Sequence, residues 1–84
     1  MKYKVELIIM NKDGVRDPEG ETIHKYLILR RGYGQVKNVR AGKILVFEVE
    51  ANSPDDALSL VKEMSFKLRL YNPSVHKAEV RLSG

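Results

Sequence analysis

The chain has 84 residues, the length of one domain with no room for a second. Hydrophobic residues at 43% and charged residues at 31% exclude a disordered chain, and 15 Lys plus Arg against 11 Asp plus Glu leave a net charge of +4. The absence of cysteine excludes disulfides and thiolate metal sites, so that oligomerisation is the remaining support for so small a core.

Lys2 to Met10 alternates as a strand. Tyr3, Val5, Leu7 and Ile9 share one face; Lys2, Lys4 and Glu6 lie on the other, where Ile8 and Met10 break the polar pattern. Asn11 to Gly14 reads as a loop. Asp17-Pro18-Glu19-Gly20 reads as a helix start. Asp17 can cap free N–H groups, and Pro18 suits the first helical position. Gly20 in a first turn costs about 1 kcal/mol against Ala, which points to a close backbone approach. Ile23, Tyr26, Leu27 and Arg30 follow at helical spacing, and Gly32 is a stop signal behind Arg30 and Arg31.

Gly34 to Val39 reads as a short strand and Arg40-Ala41-Gly42-Lys43 as a tight basic turn. Ile44 to Glu50 is the clearest strand, with Leu45, Phe47 and Val49 on one face and Ile44, Val46, Glu48 and Glu50 on the other. Two strands around a glycine turn predict a hairpin. Ser53-Pro54-Asp55-Asp56 starts a second helix, with Ala57, Val61, Met64 and Leu68 on its apolar face. Asn72-Pro73 should end that helix near Leu70–Tyr71. Val75 to Leu82 closes the chain as a strand, with Ala78, Val80 and Leu82 on one side.

The order is β-α-β-β-α-β. It predicts an α+β two-layer sandwich: a mainly antiparallel four-stranded sheet with both helices on one face. The whole chain, 1–84, reads as a single domain. On the uncovered face Ile8, Met10, Ile44 and Val46 replace the expected polar residues. They predict an oligomer face.

Catalytic signals are absent. Ser53 is explained as a cap, Asp55-Asp56 as complements of the helix dipole, and His24 and His76 are isolated. Two lone histidines also argue against a metal site. Gly32-Tyr33-Gly34 follows a helix and is too short for a dinucleotide fingerprint. Arg40, Gly42 and Lys43 are the best candidates for contact with a phosphate or an acidic partner. The element order is also that of the RNA-recognition fold, so a small nucleic-acid-binding module is the alternative reading. The strand Lys43 to Glu50, with one aromatic and two acids, lacks that module's signature. A small-ligand sensing domain is a third. The apolar run Leu7 to Met10 is far short of the roughly 20 residues of a membrane helix, and no signal peptide is visible, so the expected location is cytoplasmic.

Five motifs occur in order: Gly14-Val15-Arg16-Asp17-Pro18-Glu19-Gly20, Gly32-Tyr33 with Val36, Val39-Arg40-Ala41-Gly42-Lys43, Val61-Lys62-Glu63-Met64 and Asn72-Pro73. Together they resemble the PurS subunit family of phosphoribosylformylglycinamidine synthase, over essentially the whole chain. The resemblance implies a noncatalytic subunit in purine biosynthesis, a homodimer or tetramer with no bound cofactor. It implies two partners: a synthetase subunit (PurL) that uses ATP and magnesium, and a glutaminase subunit (PurQ) that releases ammonia. This chain would bridge them and support ammonia transfer. Asp17, Pro18 and Gly20 would then fix entry to the first helix. Arg40, Gly42 and Lys43 would form a basic hairpin tip for partner contact. Asn72 and Pro73 would stop the second helix and aim the last strand.

Overall fold

The computed structural model describes residues 1–83. Three strands form one antiparallel sheet: β1 (Lys2–Asn11), β2 (Gly42–Glu50) and β3 (His76–Leu82), in the order β2-β1-β3. β1 is central, paired with β2 over Lys2–Met10 and with β3 over Val5–Asn11. Its register sets Val5 opposite Phe47 and Leu82, and Leu7 opposite Leu45 and Val80. Tyr3, Val5, Leu7 and Ile9 therefore share one face with Val49, Phe47, Leu45, Val80 and Ala78, as the alternation predicts.

Helix α2 (Pro54–Lys67) covers that face. Ser53 starts it, its hydroxyl accepting from the Asp56 N–H at 3.1 Å, with Pro54 at the first position. Ala57 and Val61 are fully buried against Val5 and Val49, and Tyr3, Phe47, Leu58 and Val80 pack around them. The helix ends at Lys67, before the expected Leu70–Tyr71. Arg69 takes a left-handed conformation at φ 54° and turns the chain, and the Leu70 N–H reaches back to the Ser65 carbonyl at 3.0 Å. Asn72 acts beyond this stop. Its carbonyl accepts from Val75 and His76, and its side-chain oxygen accepts from Ser74, forming the turn that launches β3.

The sheet has three strands and not the four predicted. Residues 34–39 are neither strand nor hairpin partner. Val36 and Val39 stand three apart, so no face of a strand could bury both. The first helix differs too. α1 (Pro18–Thr22) runs directly into a π-helical stretch (Ile23–Ile28) and a closing 3-10 turn (Leu29–Arg31). Gly32 then stops it with a left-handed φ of 90°, as its position suggested. This helix packs on neither the sheet nor α2. It projects as an arm, and segment 32–41 returns along it. The His24 Nε2–H clips the return by donating to the Val36 carbonyl at 2.6 Å. The arm gives the molecule extents of 50 × 28 × 14 Å. Only one helix therefore lies on the sheet, not both.

Leu7 is fully buried in the sheet, and Leu7→Ala should cost about 2–5 kcal/mol in urea denaturation. Ser65 is buried with a hydroxyl that has no hydrogen-bond partner among the described residues. Ser65→Ala should therefore stabilise the fold, by about 1 kcal/mol in the same assay.

Candidate functional site

Two surfaces carry the residues singled out by the sequence. The first is the junction of arm and sheet. Asp17 is buried there and accepts two backbone N–H groups, from Gly20 at 3.2 Å and Ala41 at 2.6 Å. One bond caps the arm helix, and the other ties the returning segment to the same carboxylate. The Ala41 N–H first, then the Gly20 N–H and the nearby Arg40 guanidinium, hold the Asp17 carboxyl below its usual range. Gly20 faces the Val39 carbonyl and Asp17 Oδ2 so closely that a methyl there would collide with both.

Arg40 does not stand at a hairpin tip. Its Nη2 donates to the carbonyls of Asn11, Lys12 and Val15 at 3.1, 3.2 and 3.4 Å. It satisfies a loop that makes few backbone bonds of its own. Asn11 adds a donation from Nδ2 to the Arg16 carbonyl at 2.9 Å. Gly42 opens β2 opposite Met10, where a Cβ would meet the Ile9 carbonyl and the Met10 side chain at 2.8 Å. Lys43 is exposed opposite Ile9. It lines a cavity of about 320 Å³ with Asn11, Asp17, Glu19, Leu70 and His76. Pro18 borders the same cavity, and Pro73 lies in the turn before β3. The His76 Nδ1 accepts from the Asn72 N–H at 3.0 Å, which fixes the ring as part of that turn.

The second surface is the sheet face opposite α2. Ile8 and Ile44 are direct cross-strand partners there, Met10 lies opposite Gly42, and Val46 opposite Glu6. Ile44 is 50% and Val46 58% exposed, and Ile8 and Met10 are half-buried. The four residues grouped from the sequence thus form one contiguous apolar patch. Around it lie Lys2 paired with Glu48 at 3.3 Å and Arg81 paired with Glu6 at 2.7 Å. Arg81, by hydrogen bond first and charge second, pulls the Glu6 carboxyl below its usual range. No aromatic residue lies on this face; Tyr3 and Phe47 face α2. A base-stacking surface of the RNA-recognition kind is therefore not built here. Sequence reasoning missed the arm as a surface in its own right. Its signal is the block from Thr22 to Phe47, which contains no acidic residue.

The PurS family model, described as phosphoribosylformylglycinamidine (FGAM) synthase, matches residues 4–84. The PurS subunit of that synthase from Thermotoga maritima is 39% identical over 79 residues, 94% of each chain. The same subunit from Methanocaldococcus jannaschii is 36% identical over 80 residues, 95% of this chain and 94% of the relative. The crystal structure of the purS subunit from Thermotoga maritima superposes with a TM-score of 0.87 at 37% identity, covering 99% of this chain and 93% of that one. A chain of the PurLQS structure from the same organism gives 0.86 at 37% identity, covering 99% of both.

The sign of the Asp17 effect defines a test. A carboxyl whose folded pKa is lowered contributes stability above the ordinary carboxylate range and loses it as pH falls through the lowered value. Protection of the Gly20 and Ala41 amides, measured as exchange relative to the intrinsic rate at each pH, should therefore fall in acid. Asp17→Asn should lower that protection at neutral pH and remove its acid dependence.

Proposed function

The chain belongs to the PurS family of phosphoribosylformylglycinamidine synthase, and on that premise we propose that it joins the synthetase and glutaminase subunits and supports ammonia transfer between them. It is a small subunit of that synthase, in purine biosynthesis. The observation that carries the bridging reading is the pair of separate unpartnered surfaces, one on the sheet and one on the arm, in a chain with no nucleophile–base pair. A bridge needs two faces and no chemistry. ATP and magnesium then belong to the synthetase subunit. Among the described residues no helix is long and apolar enough to cross a membrane.

Within this reading the patch of Ile8, Met10, Ile44 and Val46 is the homodimer face. Its centre is apolar, and Lys2 and Lys4 on β1 against Glu48 and Glu50 on β2 allow a two-fold partner to match opposite charges. Of the three residues proposed for partner contact, Lys43 keeps that role. Arg40 and Gly42 act through the junction that positions it.

The test is a paired turnover assay with the cognate synthetase and glutaminase. Glutamine-dependent synthesis should require this chain, while ammonium-dependent synthesis should proceed without it. Equal rates with and without the chain on both nitrogen sources would remove the bridging role. In the same assay Lys43→Ala should lower glutamine-dependent turnover with the fold intact. Arg40→Ala should lower thermal stability of the isolated chain as well, because the Asn11, Lys12 and Val15 carbonyls each lose a hydrogen bond.

A further inference from the structure

One of the two histidines has its tautomer set by the fold. The Asn72 N–H meets the His76 Nδ1 at 3.0 Å. A backbone N–H can only donate, so Nδ1 must offer a lone pair, and the proton of the neutral ring sits on Nε2. Asn72 spends its other polar groups on the same turn. Its carbonyl accepts from Val75 at 3.0 Å and from His76 at 2.7 Å, and its side-chain oxygen accepts from Ser74 at 3.0 Å. Three of these bonds join amide groups, which do not titrate. The fourth ends on a nitrogen that does. His24 differs: its Nε2–H donates to the Val36 carbonyl, and a protonated ring donates there equally well.

A second proton on the His76 ring goes to Nδ1, where it faces the Asn72 N–H, donor against donor. Among the described residues no carboxylate forms an ion pair with the ring. Around the cavity that the ring lines stand Lys43 of β2 and, at the base of the arm, Asp17 and Glu19. The Asp17 carboxylate is engaged by the Gly20 and Ala41 N–H groups. At the end of β1, Asn11 lies opposite His76 with Arg40 on its carbonyl, and Lys12 and Asp13 follow. Lys77, next in β3, pairs with that Asp13 at 3.5 Å. Of these carboxylates only Glu19 is without a partner among the described residues, against the cations Lys12, Arg40, Lys43 and Lys77. The surroundings do not offset the charge of an imidazolium.

We propose that His76 is an acid-sensitive latch on the turn 72–76: a proton on Nδ1 expels the Asn72 N–H, the ring leaves the turn, and the first residues of β3 lose their order while the core stays folded. The open turn takes a proton that the closed turn refuses. The latch therefore holds while the ring is neutral and is lost as acid protonates it, below about pH 6.5. The opening is local, because β3 stays paired with β1 from Ala78 to Leu82 and the core lies between β1, β2 and α2. Lys77 stands opposite Met10, so the loosened residues border the apolar patch on the sheet.

The experiment is nitrogen-15 NMR and amide exchange on the full chain. At about pH 7.5 the His76 ring should show a bare Nδ1 and a protonated Nε2. Protection of the Val75 and His76 amides, taken relative to the intrinsic exchange rate, should fall by about threefold or more between about pH 7.5 and about pH 5.5, while that of Val5 and Val61 holds. His76→Asn presents an amide oxygen in place of Nδ1 and does not titrate, so it should keep the parent's neutral protection at both pH values. His76→Ala has no acceptor and should show the acid behaviour already at neutral pH. His24→Gln should leave the pH effect in place. The Asp17 effect reports at Gly20 and Ala41 and at lower pH, so the two are read separately. A proton on Nδ1 of the neutral ring overturns the proposal. Equal protection of the parent at both pH values, or the same acid loss in His76→Asn, also overturns it, and each leaves the bridging reading standing.

Discussion

One buried carboxylate holds the two parts of this molecule together. Asp17 accepts from Gly20 on the outgoing helix and from Ala41 on the returning segment, so a single side chain fixes both ends of the arm at the sheet. The arrangement requires a glycine at position 20, because the Val39 carbonyl occupies the space of a side chain. It requires Arg40 as well, because the loop from Asn11 to Val15 has carbonyls that no strand or helix satisfies. The motif D-P-x-G, the motif V-R-x-G-K and the end of β1 are thus one structure. Each part is short, and none would hold its shape alone.

The same junction explains where stability resides. The core lies between β1, β2 and α2, centred on Val5, Val49, Ala57 and Val61. The arm adds nothing to it. Its helix is held by its base, by Gly32 at its tip and by the His24 clip to Val36. Such an element opens locally at a lower cost than the body. Ion pairs on the surface add little, since most of them are exposed on both sides. The exception in geometry is Glu6 with Arg81, where the carboxylate is largely shielded and lies beside the apolar patch.

Local signals were legible in the sequence, and tertiary ones were not. β1 and β2, their faces, the Ser53 cap and the Gly32 stop all follow from patterns within a few residues. The apolar patch followed too, because a strand's alternation fixes which side chains share a face. The direction of the first helix did not follow. Ile23, Tyr26 and Leu27 have the spacing of a core-facing stripe, and periodicity says nothing about what the stripe faces. Arg40 was misplaced for a related reason. A cation beside a glycine reads as an exposed turn, and only the fold shows three carbonyls converging on it. With Arg69, a non-glycine residue, in the left-handed region, α2 ends at Lys67, well before the Asn72-Pro73 signal. Of the two tasks read for Asn72, aiming the last strand matches the turn its polar groups build before β3, whereas the helix stops ahead of it.

Separating charge from core is a physical condition for a subunit that assembles with several others. A basic helix laid on the sheet would bury its cations or compete with the body's own ion pairs, and the desolvation would cost more than the pairing returns. Projected on an arm, the same cations stay hydrated. The sheet patch obeys the opposite rule: it is apolar at its centre and balanced in sign at its rim, which suits contact with an identical face. The two surfaces differ in charge as well as in place, so neither is a good substitute for the other. A short chain can in this way present two distinct binding faces from a core of a few buried residues, provided that the junction at Asp17 keeps them apart.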